Sequence, residues 1–472
     1  MDIFLTRAEK GKLSQWKYQV VDNSFSTKLM TPFWDWLVSF VPNTVAPNIL
    51  TLTGFLCVLY SYHLCYNYLD HNTNLFGIGL SSILLIFAYM NLDAIDGKHA
   101  RRIQNGSPLG ELFDHSCDNI GVIFMLLTLT SILNIQNVEI LWYIVQIGQL
   151  LFLGTHIDAF EKKYVEFGYY SGSGEFLFFQ MGAMLVGITI GFDWVGFGIF
   201  SEYHLRQTVF LAYYSILAWS IIKIVGLKDK HDSTRNGLII SLLTRFIPSF
   251  LMIIGYENDE LTISTVISHG LIMTILTGDM IVAKMANREL HPLVPILVMI
   301  SLFDNFFCAT ICILYYTIVL FEISYYLKIP MFTVRQNVFC CGVFDLFHIG
   351  HMNMFTNAKT FGTNLIVGVH DDMTCEKYKR KTHLTHEERV ASVRKCASVD
   401  TVIPECPLIL TENFIKKHNI HTVICSEEYD NDDDIYYKVA RDMGITKIVK
   451  RTSDVSTSDI IERVKKQKKL KK

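Results

Sequence analysis

Four aspartates, Asp93, Asp96, Asp114 and Asp118, fall within the run NLDAIDGKHARRIQNGSPLGELFDHSCDNI (91–120), between the apolar stretches LSSILLIFAYM and GVIFMLLTLTSIL. Asp93 and Asp96 are spaced i, i+3 and Asp114 and Asp118 i, i+4, so on helices each pair shares one face. Gly106, Ser107 and Pro108 permit a turn, and two helix ends can then gather four carboxylates. Without a partner such a cluster repels itself and loses hydration at high cost. A divalent cation removes both penalties; all-oxygen ligation favours Mg2+ or Mn2+, and Mg2+ commonly bridges carboxylates and phosphates. Gly97 and Gly110 would let a ligand or the opposite helix approach closely, while Arg101 offers a planar fork for phosphate. Solvated charges in a juxtamembrane loop would account for one such aspartate, but poorly for two facing pairs beside an arginine and two glycines.

A second set of chemical groups lies far downstream. His348-Ile349-Gly350-His351 follows the β-type run VFCC, and the glycine leaves room for a phosphate between two imidazoles. A hundred residues later, RTSDVSTSDIIERV supplies Arg451, then Ser456, Thr457 and Ser458 at the opening of an amphipathic helix. Hydroxyls and free amides at a helix N-terminus form an anion site.

The elements that must position these groups divide the 472-residue chain in two. Half of its residues are hydrophobic, and the formal net charge of −3 gives no reason to expect a nucleic-acid partner. Apolar runs begin near residues 48, 75, 119, 140, 176, 208, 238, 262, 292 and 306. A bilayer core takes roughly 20 residues per helix, so a polytopic α-helical membrane domain of about ten spans is expected over 47–329, preceded by a polar segment, 1–46, with no cleavable-signal pattern. The loops after spans two, four, six and eight carry the lysines and arginines, such as Lys98, Arg101 and Arg102, or Lys162 and Lys163. That bias predicts both termini, and the aspartate stretch, on the cytosolic side. From 330 the chain reads as an ordinary soluble protein. Strand-like VFCC, LIVGV, TVIP, TVICS and TKIVK alternate with helical stretches, predicting a Rossmann-like α/β domain over 330–464 with its ligand over the carboxyl ends of the strands. A basic tail, 465–472, follows, suited to solvent or anionic lipid. The eleven scattered cysteines show no metal-type spacing and read as reduced thiols.

The aspartate stretch resembles the signature of the CDP-alcohol phosphatidyltransferases, D-x2-D-G-x2-A-R, eight residues, G-x3-D-x3-D, carried here by Asp93, Asp96, Gly97, Ala100, Arg101, Gly110, Asp114 and Asp118. LGELFDHSCD and the upstream TPFWDWLVSFVPNTVAPNILTLTGF, which contains Pro47 and Asn48, are similar to the choline/ethanolaminephosphotransferase branch. The resemblance covers roughly 25–327. It implies attack by the hydroxyl of diacylglycerol on the β-phosphate of a CDP-alcohol, releasing CMP, with Mg2+ or Mn2+ on the four aspartates. Asp118 is the family's candidate for the base; His115 and Glu175, the latter ending the loop EFGYYSGSGEF, are further candidates.

HxGH and RTxxVSTS together resemble the cytidylyltransferases over about 336–464, and GVFDLFHIGH, LTHEERV and VSTSDII look most like members that act on phosphocholine or phosphoethanolamine. The resemblance implies in-line attack of the phosphoalcohol on CTP, with His348 and His351 stabilising the transition state. Lys379, or Lys377 nearby, would neutralise phosphate charge. Arg389, Arg451, Thr452, Ser456, Thr457 and Ser458 would hold the triphosphate, and Gly342 and Phe344 shape the first loop. Cys341 stands where choline-type relatives often carry an acid, and Leu408 where they tend to have a tryptophan. Asp345 and Tyr429 are the remaining candidates for a charge and an aromatic face toward the head group.

The reading is therefore a fusion of consecutive enzymes. The soluble half makes CDP-choline or CDP-ethanolamine from CTP; the membrane half passes the phosphoalcohol to diacylglycerol, giving phosphatidylcholine or phosphatidylethanolamine. Linking them raises the local concentration of the shared intermediate. The endoplasmic reticulum or another endomembrane is the expected location, with both active sites cytosolic, and a homodimer is allowed for. Two rivals differ in class: a soluble half that only binds nucleotide as a regulator, and a membrane half that uses CDP-diacylglycerol. A transporter would leave both nucleotide motifs unexplained.

Overall fold

The computed structural model describes residues 2–170, 172–190, 202–228, 231–253, 261–302, 305–378, 380–429, 431, 433–450 and 455–470. The chain forms two compact units, Met1–Thr333 and Val334–Lys472.

In the first unit a short α1 (Arg7–Leu13), β1 (Val20–Asp22) and α2 (Phe25–Ser39) lead into the long helices α3 (Pro47–Tyr68), α4 (Leu75–Arg102), α5 (Pro108–Ile132) and α6 (Val138–Lys162). After β2 (Val165–Phe167) come α7 (Ser173–Ile190), α8 (Glu202–Val225), α9 (Asp232–Ile253), α10 (Ile263–Ala286), α11 (Leu293–Ile300) and α12 (Asn305–Leu327). Among the described residues the ten apolar runs thus become ten helices, of which eight are long and apolar enough to cross a membrane. The other two are α9, which carries Asp232, Arg235 and Arg245, and α11, which has only 8 residues. The chain is a multi-pass membrane protein. α10 is buried nearly all round, packed against α5, α6 and α12, and its buried Asp279 and Lys284 are paired with Arg288 and Glu111. α5 begins at Pro108, well before the apolar run near 119, so Asp114 and Asp118 ride on the same rigid helix as the span.

The N-terminal segment is integrated with this unit. Thr6 and Glu9 form a capping box that starts α1. The amides of Ile3 and Leu5 donate to Glu322 of α12 at 2.6 and 3.0 Å, and Leu5 and Leu13 are fully buried. β1 then pairs in parallel with β2.

The second unit is built on a five-stranded parallel sheet, order β5-β4-β3-β6-β7: β3 (Asn337–Gly342), β4 (Asn364–Val369), β5 (Thr401–Pro404), β6 (Thr422–Ser426) and β7 (Thr446–Val449). Its helices are α13 (Ile349–Lys359), α14 (Asp372–Tyr378), α15 (His386–Arg394), α16 (Glu412–Lys417), α17 (Lys438–Asp442) and α18 (Thr457–Leu470). The chain runs outward from β3 to β5, then crosses back to β6 on the other side of β3. This reversal opens a crevice at the carboxyl ends of β3 and β6. The basic tail is not a separate segment at its start: Lys465–Leu470 continue α18.

Candidate active sites

In the membrane unit, α4 and α5 meet across the turn at 103–107. Ser107 caps α5, its Oγ accepting from the Gly110 amide at 3.1 Å, and Pro108 sits at the first helical position, where a missing N–H costs nothing. Arg102 fixes the end of α4 by donating to the carbonyls of Val38 and Val41. The result is the predicted gathering of carboxylates. One oxygen each of Asp93, Asp96 and Asp114 lie within 4.8 Å of one another, and so do ligand atoms of Asp114, His115 and Asp118. Thr51 of α3 donates to Asp96, and Tyr89 of α4 donates to Asp118 at 2.7 Å. Asp114 Oδ1 is buried with no hydrogen-bond partner. A buried carboxylate oxygen left unpaired among other carboxylates is a costly arrangement that a divalent cation satisfies. The donor set, all oxygen with one imidazole beside it, therefore fits Mg2+ or Mn2+.

A cavity of about 320 Å³ opens above this cluster. Its lining includes the predicted Pro47, Asn48, Asp96, Gly97, Ala100, Arg101, Gly110, Asp114 and His115. The exposed Arg101 guanidinium donates no hydrogen bond to the protein among the described residues, leaving its fork available. Trp16, Tyr18 and Glu111 also line the cavity and were not foreseen from the motif. Glu111 accepts from Trp16 Nε1 at 2.6 Å and from the buried Lys284 of α10 at 2.7 Å, tying the N-terminal segment to the cavity wall. Such partners come from distant parts of the chain, and no local spacing marks them.

The three candidate bases are placed differently. Asp118 lies at the cluster, and His115 Nδ1 is 3.9 Å from its Oδ2. His115 Nε2 is buried without a hydrogen-bond partner, and the ring stands edge-on to His156 at 5.4 Å. Glu175 is not brought to the cluster. Its Oε1 accepts from the Ser26 amide at 2.7 Å, so it caps α2, which satisfies a helix N-terminus.

In the second unit, His348 is the N-cap of α13, its Nδ1 accepting from the Gly350 amide at 3.2 Å. The rings of His348 and His351 stack at 3.9 Å. A Cβ on Gly350 would stand 3.0 Å from the His348 ring and 3.2 Å from the Val455 carbonyl, a tight fit that would make the two signature loops shift apart by a few tenths of an ångström. Thr457 Oγ1 bridges them, donating to the Asp345 carbonyl at 3.1 Å and lying 3.4 Å from His348 Nε2. Phe344 and Leu346 hold left-handed backbone, φ 51° and 45°, in the loop that follows β3. A cavity of about 260 Å³ at this crevice is lined by Gly342, Phe344, Asp345, His348, His351, Tyr429, Thr457 and Ser458.

Several expected roles change. Arg389 is fully buried and braces loops: it donates to the carbonyls of Val343 at 2.6 Å and His370 at 2.9 Å and to Asp372 at 2.8 Å, and it does not line the cavity. Asp345 accepts from the His383 ring at 2.9 Å and the Leu384 amide at 3.0 Å. Burial opposes its charge, but these donors hold its carboxyl below the usual range, so it braces the loop while lining the cavity. Ser456 caps α18 through Asp459. Lys377 is absent from the cavity lining; Lys379, Arg451 and Thr452 lie outside the described residues. The aromatic face, in contrast, is richer than expected. Tyr378, Tyr436 and Tyr437 join Tyr429, with the Tyr378 and Tyr429 hydroxyls 3.0 Å apart. EEYDNDDDIYY carries three of the four, but the sequence does not show that they converge on one cavity.

Two transferase folds, each with its own pocket, define the class of this protein, and comparison with known proteins agrees with both. Residues 44–163 match the family model of CDP-alcohol phosphatidyltransferases, and residues 339–463 that of cytidylyltransferase-like proteins. The chain thus joins a CDP-alcohol phosphatidyltransferase domain to a cytidylyltransferase-like domain. It is 26% identical over 308 residues to an uncharacterized CDP-alcohol phosphatidyltransferase class-I family protein 1 of Dictyostelium discoideum, covering 62% of this chain and 80% of that one. It is 33% identical to cholinephosphotransferase 1 of Gallus gallus, over 35% of this chain and 50% of that one. It is 39% identical to choline-phosphate cytidylyltransferase 2 of Arabidopsis thaliana, over 27% and 44%. The chain spans half or less of the length of these last two relatives.

Proposed function

We propose that the chain makes a phospholipid in two consecutive steps, one in each unit. In the first, a phosphate oxygen of phosphocholine or phosphoethanolamine attacks the α-phosphorus of CTP and pyrophosphate leaves. His348 and His351, stacked on either side of Gly350, donate to the phosphate oxygens as charge builds on them. Thr457, Ser458 and the free amides opening α18 hold the triphosphate. Lys379, Arg451, Thr452 and Ser456 belong to the same reading by resemblance. The four tyrosines of the cavity wall suit a cationic head group, and their faces favour the trimethylammonium of choline.

In the second step the hydroxyl of diacylglycerol attacks the head-group phosphorus of the CDP-alcohol, and CMP leaves. Asp93, Asp96, Asp114 and Asp118 would hold a divalent cation, which neutralises pyrophosphate charge. Arg101 binds phosphate, Gly97, Ala100 and Gly110 admit it, and Pro47 and Asn48 bound the nucleotide. His115, which lines the cavity, and Asp118, 3.9 Å from it, share the removal of the lipid hydroxyl's proton. The site stands at the end of two spans, where a water-soluble nucleotide and a lipid alcohol can meet. The charge bias of the loops turns both sites to the cytosol, and the endoplasmic reticulum or a related endomembrane is the location the resemblance implies.

The observation that carries the proposal is the gathering of the signature aspartates, with the orphaned Asp114 oxygen among them. Protein reconstituted in vesicles containing diacylglycerol, given CTP, Mg2+ and phosphocholine, is expected to release pyrophosphate and CMP and to form phosphatidylcholine. Phosphoethanolamine in parallel is expected to react more slowly. CMP release only with CDP-diacylglycerol and a free alcohol would overturn the second step.

A further inference from the structure

Cys341, the last residue before Gly342, lines the head-group end of the soluble cavity and is 9% exposed. Its strand neighbour Cys340 is fully buried on the other side of the sheet, within a different hydrophobic cluster. Cys341 pairs across β3 and β4 with Gly368. The absence of a side chain there is what matters: a Cβ on Gly368 would stand 2.5 Å from the Sγ of Cys406 and 2.8 Å from its Cβ. Cys406, which follows β5 and is tied to β4 through its amide and the Val369 carbonyl at 3.0 Å, therefore leans over the glycine on the face it shares with Cys341, and its thiol donates to the Pro407 carbonyl at 3.4 Å. Tyr437 Oη is 3.4 Å from the Cys341 Sγ, and the His370 ring holds the Cys406 carbonyl through its Nδ1 at 2.9 Å. The Cys406 thiol beside it lowers the Cys341 thiol below its usual range against the effect of burial, and His370 and Tyr437 add to the pull.

From this arrangement we infer that Cys341 and Cys406 form a reversible disulfide on exposure to a hydroperoxide, closing the head-group end of the cavity. The Cys341 thiolate attacks one peroxide oxygen; the O–O bond breaks, and hydroxide leaves with the proton Cys341 has given up. The Cys406 sulfur then attacks the sulfenic sulfur; the S–S bond forms, and the hydroxyl leaves with the Cys406 proton as a second water. Two thiols lose two electrons and the peroxide gains them. The bond draws Cys341 from Tyr437 toward β4 and disturbs the tyrosine face. The effect on activity rests on the cytidylyltransferase reading; the bond itself does not.

The test treats the full chain in lipid nanodiscs with hydrogen peroxide, blocks free thiols and maps linked peptides. A dithiothreitol-sensitive peptide pair joining Cys341 and Cys406 is expected. Pyrophosphate release from CTP should fall by about 10²-fold and return on reduction, while CMP release from supplied CDP-choline stays unchanged. Cys406→Ser should keep its reduced activity and resist peroxide. No linked pair, a link from Cys341 to Cys425 instead, or equal peroxide sensitivity in Cys406→Ser would overturn the inference. Wild-type peptide mapping decides the bond even if that variant misfolds. A reduced wild type that releases no pyrophosphate contradicts the catalytic reading and leaves the mapping result standing.

Discussion

Asp114 carries the membrane site at the scale of single residues, because among the described residues of the aspartate cluster its Oδ1 is a buried oxygen that no protein group satisfies. Asp114→Asn keeps the shape and removes the charge, and is expected to lower CMP release from CDP-choline by about 10³-fold with the fold intact. Tyr89→Phe removes one hydrogen bond to Asp118 and should cost about 10-fold, read as kcat at saturating CDP-choline. The spacing of the aspartates made the cluster legible in the sequence, whereas Tyr89, Thr51 and Glu111 were not, since nothing local distinguishes a tyrosine that reaches a carboxylate from one that packs. Arg389 shows the opposite failure. The motif marks it as a substrate ligand, yet burial turns it to backbone carbonyls. Arg389→Met is accordingly expected to destabilise the soluble unit by about 2 kcal/mol, seen in its unfolding midpoint, with little change in KM for CTP. Asp345 and Asp372 are both held below their ordinary value of 3.8, against burial, by hydrogen bonds from His383 and from Arg389 respectively. Their stabilisation is therefore complete above that value and is lost as pH falls through their lowered folded values. Amide exchange at Leu384, whose N–H is bonded to Asp345, should stay protected at pH 5 and lose protection below the carboxylate range.

At the scale of elements, helix ends do most of the positioning. α5 starts on Ser107 and Pro108, α13 on His348 and α18 on Ser456, and each start presents signature residues. Ser456→Ala removes the cap of α18, should cost about 1 kcal/mol and should raise KM for CTP more than it lowers kcat, as steady-state kinetics would register. The alternating strands and helices of the soluble unit were legible because a parallel sheet writes short β-branched runs between helical stretches. The membrane helices were legible as apolar runs, but not their ends. Hydropathy could not tell that α5 continues past the apolar segment to carry the aspartates, that α11 stops after 8 residues, or that the polar N-terminal segment packs against α12. Those outcomes depend on tertiary partners, which a periodicity does not contain.

At the scale of the whole molecule, the two units have separate cores and separate pockets, and each pocket is lined by residues of its own unit. Two chemistries in one chain should then be separable by mutation, and vesicles carrying two defective variants should recover synthesis when the variants are mixed, because the CDP-alcohol can diffuse between them. The most direct test is the His351→Ala variant in diacylglycerol vesicles, supplied first with CTP and phosphocholine and then with CDP-choline. The account predicts no phosphatidylcholine from the first pair and wild-type yield from the second. Loss of synthesis from CDP-choline as well, in a variant that remains folded, would contradict two independent sites.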